Sequence, residues 1–165
     1  MTRILITDDH AIVRTGLRTL LTSEPEMELV GEASGGYEAI ELAEKLHPDV
    51  LLLDLSMPDL DGIQVTRVVK AKFPDLRILI LTVHEDQALL REAIRAGASG
   101  YIVKRAAESE LISAINVVMR GDMVVDPALM RGLLTDTVPP TSQASEVAEQ
   151  LTPREVQVLK LIVQG

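Results

Sequence analysis

The sequence predicts an α/β protein built on a doubly wound, five-stranded parallel sheet, with a helical remnant at its C-terminus. Two observations predict it. Short apolar runs alternate strictly with longer segments of helical period, and alternating β and α elements imply a parallel sheet with helices on both faces. The runs at 50–53 and 78–81 are also apolar at every position, as a strand covered on both faces requires.

The elements follow in order. Ile4-Leu5-Ile6 makes the first strand, and residues 11 to 22 a helix with Ile12, Val13, Leu17, Leu20 and Leu21 on one face. Leu29-Val30 is a weaker, partly polar run, expected at an edge. Tyr37 to Leu46 reads as a helix with Ala39, Ile40 and Ala43 on one side. Val50 to Leu53 is a central strand, and the helix after it, Ile63 to Phe73, carries Val65, Val68 and Val69. Ile78 to Leu81 is the second central strand. Asp86 to Ala96 is helical and stops at "GASG". Tyr101-Ile102-Val103 is the fifth strand, and Glu108 to Met119 the fifth helix, striped by Leu111, Ile112, Ile115, Val118 and Met119.

The pattern changes after Gly121. Residues 1–121 form one domain and 122–150 a linker, in which "DPALMRGLLTD" can form one short helix and "TVPPTSQASEVAEQ" has no apolar period. Residues 151–165 begin a further helix. Thr152 is its N-cap, Pro153 suits the first helical position, and Glu155 completes a capping box. Val156, Leu159, Ile162 and Val163 line one side. A single helix of this length is marginal alone, so it reads as the start of a truncated domain.

Composition excludes several classes. The 165 residues contain no cysteine, so disulfides and thiolate zinc sites are absent. No apolar run reaches the roughly 18 residues of a membrane span, and the chain opens on "RILIT" rather than a signal peptide. A cytoplasmic protein without membrane contact is expected. The formal charge of −9 and only three aromatic residues disfavour nucleic-acid binding by this stretch itself.

Polar residues gather where the strands end. Thr7, Asp8 and Asp9 follow the first strand, Asp54 the third, Thr82 the fourth and Lys104 the fifth. Open parallel sheets hold their functional groups at the carboxyl ends of the strands. If the first and third strands are neighbours, Asp8, Asp9 and Asp54 share one crevice. Three carboxylates together repel unless a cation joins them, and oxygen donors with room for water suit Mg²⁺. A lysine and a threonine hydroxyl can hold phosphoryl oxygens, so the set fits phosphoryl transfer with Asp54 as a carboxylate nucleophile. Taken singly, each residue is better read as a cap, turn or surface charge. Asp59, Asp61 and Gly62 keep that reading, as a turn and helix cap after Pro58. His10, His47 and His84 lack metal-ligand spacing and are read as surface or capping residues, with His10 and His84 the two that could line the crevice.

These residues resemble the receiver domain of two-component response regulators. The likeness spans residues 1 to about 121 and rests on Asp8-Asp9, Asp54 followed by Met57-Pro58 and Asp61-Gly62, Thr82, "GASGY" and Lys104. "LTPREVQVLKLI" is similar to the opening of the LuxR-type helix-turn-helix of the NarL/FixJ group. The resemblance implies a flavodoxin-like strand order, 2-1-3-4-5. It implies that Asp54 accepts a phosphoryl group from a sensor histidine kinase. Asp9, Asp54 and the Ser56 backbone carbonyl would bind Mg²⁺ directly, with Asp8 acting through water. Thr82 and Lys104 would contact the phosphoryl group, and Tyr101 would follow Thr82 as a switch. It further implies a phosphorylation-dependent homodimer and control of promoter DNA by a full-length effector domain. The protein would then be a phosphoacceptor with slow self-dephosphorylation at most, not an enzyme. Two departures from the family pattern stand out. Arg105 occupies a position where many receivers have a cis proline, and Ser56 and His84 fall where phosphoryl lifetime is tuned. A haloacid-dehalogenase-type phosphohydrolase is the enzymatic alternative, but its second Asp is Ser56 here. A pure interaction module is opposed by the complete set of site residues.

Overall fold

Val50–Asp54 forms a strand buried at every residue because opposite faces of the sheet are covered by different helices. Val50 and Leu52 point into one apolar cluster and Leu51 and Leu53 into another. The computed structural model describes residues 1–127 and 129–131. The readings of most of the linker and of the helix at 151–165 lie outside the described residues.

The elements are β1 (Thr2–Thr7), α1 (Ala11–Thr22), β2 (Met27–Ala33), α2 (Gly36–Leu46), β3 (Val50–Asp54), α3 (Gly62–Lys72), β4 (Arg77–Thr82), α4 (Gln87–Ala96), β5 (Gly100–Val103), α5 (Ala107–Met119) and β6 (Val124–Val125). A single 3₁₀ turn, Lys104–Ala106, joins β5 to α5. All pairings are parallel and the order is β2-β1-β3-β4-β5-β6. The five-strand core has the expected order, with β3 and β4 inside it and β2 at the edge.

The sheet continues past residue 121. Val124 and Val125 pair with Gly100 and Tyr101, and the Asp126 N–H donates to the Tyr101 carbonyl at 3.0 Å. Residues 127 and 129–131 are helical, and Leu129 is buried. Two valines are too short a run for a period to betray them.

One core cluster lies under α2, α3 and α4, with Leu5, Leu51, Ile78, Val65, Val69 and Leu90 among its members. The other lies under α1 and α5, with Ile6, Leu52, Leu79, Leu17, Leu111 and Ile115. Ile12 departs from the expected stripe: it is 88% exposed. It sits in the first turn of α1, while the buried residues of that helix, Leu17 and Leu21, come later.

The helix starts near the crevice are held by carboxylates. Asp61 caps α3 in a capping box with Gln64. Asp86 caps α4 by accepting from the Ala88 N–H at 2.8 Å. Asp59 acts on a different helix: its carboxylate accepts from the Gly36 and Tyr37 N–H groups at the start of α2. Asp59 thus lies in the bend after Pro58, as expected, and also makes a long-range cap.

Candidate functional site

Adjacent strands β1 and β3 place their ends side by side. Asp8 and Asp9 follow β1, Asp54 ends β3, and Lys104 reaches over from the end of β5. The Lys104 ammonium lies 2.6 Å from Asp8 Oδ2 and 3.2 Å from Asp54 Oδ1. Asp8 and Asp54 are only 2% and 4% exposed. One oxygen or nitrogen from each of Asp8, Asp9, His10 and Asp54 falls within a cluster whose atoms lie no more than 4.8 Å apart. Sequence reasoning placed Asp8, Asp9, Asp54 and Lys104 in one crevice, and the fold brings them together there.

Backbone geometry fixes these groups. The Asp8 N–H donates to the Ala33 carbonyl, and Arg14 donates to the Asp8 carbonyl at 2.6 Å. Gly62 lets its loop close against β3: its N–H donates to the Leu55 carbonyl at 2.8 Å, and a Cβ there would stand 2.5 Å from the Asp54 carbonyl oxygen. Any other side chain would push that strand end away.

The crowding of charge is visible in the proton affinities. Burial pushes the Asp54 carboxyl above its usual range and the Asp8 charge adds to this, against the pull of Lys104 and of the Ser56 backbone. Burial works against the Lys104 ammonium, but the bond to Asp8 and the charges of Asp54 and Asp8 outweigh it and raise its pKa.

Thr82 is fully buried at the end of β4, and its hydroxyl accepts from the His84 N–H at 3.0 Å. Tyr101 is buried too, and its hydroxyl donates to the His84 carbonyl at 3.3 Å. Burial pushes the Tyr101 phenol up to about 12, with the Thr82 side chain pulling the other way. Thr82 and Tyr101 therefore meet around one short loop. Ser56 stands across from it, with its Oγ 2.7 Å from His84 Nε2. No peptide bond among the described residues is cis, the Lys104–Arg105 bond included.

His10 is the residue whose position sequence spacing undervalued. Its Nδ1 lies 3.1 Å from both Asp8 Oδ1 and Asp9 Oδ1. The only signal in the sequence is its place directly after the acidic pair. His84 borders the loop at Thr82 and Ser56, whereas His47 ends α2 in a left-handed conformation, as a capping residue.

The donor set suits a hard divalent cation. Carboxylate oxygens converge, and Asp9 Oδ1 is buried without a hydrogen-bond partner, an acceptor that an ion would satisfy. No helix among the described residues is long and apolar enough to cross a membrane.

Comparison with known proteins agrees with this geometry. The response regulator receiver domain family matches residues 4–116. The chain is 40% identical over 168 residues to the oxygen regulatory protein NreC of Staphylococcus carnosus, an alignment covering 99% of this chain and 77% of that protein. It is 38% identical over 162 residues to the nitrate/nitrite response regulator protein NarL of Escherichia coli, covering 98% and 75%. Among solved structures, a LuxR-family two-component response regulator from Aurantimonas sp. superposes with a TM-score of 0.80 at 36% identity, over 84% of this chain and 100% of that one. The isolated REC domain of RcsB from Salmonella enterica serovar Typhimurium, solved in the presence of phosphomimetic BeF3-, gives 0.73 at 31% identity over 79% and 96%. The chain belongs to the response regulator receiver family, within the group of two-component regulators that includes NarL and NreC.

Proposed function

We propose that the chain works as a phosphorylation switch, with Asp54 as phosphoacceptor. The observation that carries this is Asp54 itself: a buried carboxylate at the end of a rigid central strand, with an ammonium 3.2 Å away and two further carboxylates beside it. Its oxygen attacks the phosphorus of a phosphohistidine on a sensor kinase. A P–O bond forms, the P–N bond breaks, and its electron pair stays on the imidazole nitrogen.

Asp9, Asp54 and the Ser56 carbonyl would hold Mg²⁺ directly, with Asp8 acting through water. Bound there, the ion supplies positive charge against that developing on the phosphoryl oxygens. Lys104 binds a phosphoryl oxygen directly, and to do so it shifts from Asp8 and Asp54 onto the new group. Thr82 contributes its hydroxyl and so competes with its present bond from the His84 N–H. Tyr101 then repacks around the same loop, which carries the local charge change into α4 and β5.

The output is transcription control in the cytoplasm, through phosphorylation-dependent dimerisation and a LuxR-type DNA-binding domain beginning near residue 151. The chain is a phosphoacceptor that loses its phosphoryl group slowly to water, not an enzyme turning over a substrate. The test is Mg²⁺-dependent mass gain with acetyl phosphate, with a parallel beryllofluoride titration. Both responses are expected in the native chain and absent from Asp54→Ala. An equal response in the variant, or none in the native chain, sinks the reading.

A further inference from the structure

His10 stands beside the acidic cluster with a ring nitrogen among its possible ligand atoms, and the family's pattern of oxygen ligands does not account for it. Its Nδ1 is 3.1 Å from Asp8 Oδ1 and 3.1 Å from Asp9 Oδ1. An ion with bonds of about 2.1 Å holds neighbouring ligands about 3 Å apart when they meet at right angles. The imidazole nitrogen therefore already stands at the spacing of an adjacent ligand from each of the two carboxylate oxygens. Asp9 Oδ1 is buried and accepts no hydrogen bond, so the imidazole lies close to it without satisfying it. Metal binding takes the tautomer protonated at Nε2, in which the Nδ1 lone pair would replace the present contact with Asp8 Oδ1.

We propose that His10 is a nitrogen ligand of the acidic site and shifts its preference from Mg²⁺ toward late first-row divalent ions such as Ni²⁺ and Co²⁺. This rests on the reading of the Asp9–Asp54 crevice as a cation site. The chemistry follows from ligand type. Mg²⁺ favours oxygen donors and gives up its waters reluctantly, so an imidazole adds little for it. Imidazole suits the later ions, whose affinity for mixed nitrogen and oxygen sites rises across the row. Lys104 takes Asp8 Oδ2 and leaves Oδ1 toward the ring, so Asp8 orients the imidazole while Asp9 Oδ1 is the oxygen that shares the ion with it. The same carboxylate oxygen accepts the His10 backbone N–H at 2.8 Å, which holds the residue in place at the start of α1.

Calorimetric titration of the full chain with Mg²⁺ and with Ni²⁺ tests this, in the native protein, His10→Ala and Asp9→Asn. Expected is tighter Ni²⁺ than Mg²⁺ binding in the native chain. His10→Ala should weaken Ni²⁺ by about 10- to 100-fold while changing Mg²⁺ by less than about 3-fold. Asp9→Asn should weaken both. Pulsed EPR of the Mn²⁺-loaded native chain gives a readout that needs no variant: an imidazole nitrogen coupling is expected. Intact Mg²⁺ binding with Ni²⁺ affinity indifferent to His10→Ala, Ni²⁺ binding retained in Asp9→Asn, or no nitrogen coupling would each overturn the ligand role and leave the cation site standing. No binding of either ion by the native chain would overturn the cation site and this inference together.

Discussion

Lys104 donates to Asp8 at 2.6 Å and approaches Asp54 less closely, at 3.2 Å. The lysine is therefore chiefly the partner of Asp8, not of the proposed phosphoacceptor. That division keeps the ammonium poised beside Asp54 without fully neutralising it. It also means that two buried carboxylates depend on one cationic side chain.

Removing that cation should cost stability in a way that a divalent ion offsets. Lys104→Ala leaves Asp8 and Asp54 buried with no lysine beside them, and breaking such a pair costs about 2–3 kcal/mol where the cation is partly solvated. Urea unfolding followed by circular dichroism, in EDTA and in Mg²⁺, checks this. The deficit is expected to be larger in EDTA, because a bound ion takes over part of the neutralisation. Equal deficits would show that no cation compensates.

Asp54→Asn should stabilise the fold near neutral pH. Burial, then the Asp8 charge, raises the Asp54 pKa in the folded chain. A carboxyl that holds its proton more tightly folded than unfolded penalises folding fully above the folded pKa. The penalty shrinks as pH falls through that value and is gone below the unfolded value of about 4. The Asn variant should gain about 1 kcal/mol at neutral pH and nothing near pH ~4. Unfolding curves across that range, without divalent ions, provide the check.

The strand-end residues were legible in the sequence because a polar residue closing a wholly apolar run can only sit at the rim of a covered sheet. Asp8, Asp9, Asp54, Thr82 and Lys104 are each ambiguous alone and legible together, as a set at the ends of strands of one sheet. What stayed hidden depended on partners distant in sequence or on elements too short for a period. Asp59 caps a helix that precedes it by 22 or 23 positions, and no local pattern names that partner. Val124-Val125 becomes a strand only because β5 offers it an edge. Ile12 obeys the helical period yet lies above the reach of the core, since periodicity gives direction and not depth.

Tyr101 offers a pH signature at the alkaline end. Its buried phenol is pushed up to about 12, so the folded chain keeps that proton where the unfolded chain, at about 10, loses it. Stability should fall as pH rises from about 10 toward about 12. In a Tyr37→Phe background, ultraviolet phenolate absorbance should show the single remaining tyrosine ionising about two pH units late. Tyr101→Phe should remove this contribution to the alkaline slope while keeping the packing, whereas Tyr101→Ala should cost about 3–5 kcal/mol.

Gly62 is required by proximity rather than by a special backbone angle. A methyl group there would meet the Asp54 carbonyl oxygen at 2.5 Å and Leu55 Cα at 2.9 Å. Both are main-chain atoms of the strand end that holds Asp54, so neither can turn aside as a flexible side chain would. Gly62→Ala should destabilise the fold by about 2–3 kcal/mol and weaken beryllofluoride binding as Asp54 is displaced. A variant with lower stability but native beryllofluoride affinity would place the strain in the loop alone.

The segment after β6 should prove part of the folded unit despite following the linker-like change in sequence. Leu129 is buried in the same cluster as Tyr101, Leu90 and Val125, and its carbonyl accepts from the Gln87 side chain at 3.2 Å. The helical residues after β6 are thereby tied to α4 as well as to β5. Leu129→Ala removes a buried side chain at that junction and should cost about 2–3 kcal/mol; Pro127→Ala, at an exposed position two residues earlier, should cost less than about 0.5 kcal/mol. Chemical unfolding of both variants makes the comparison. A negligible loss for Leu129→Ala would mean that this segment rests on the sheet without contributing to it. The expected loss would make Leu129 an anchor that holds this segment on α4 and β5.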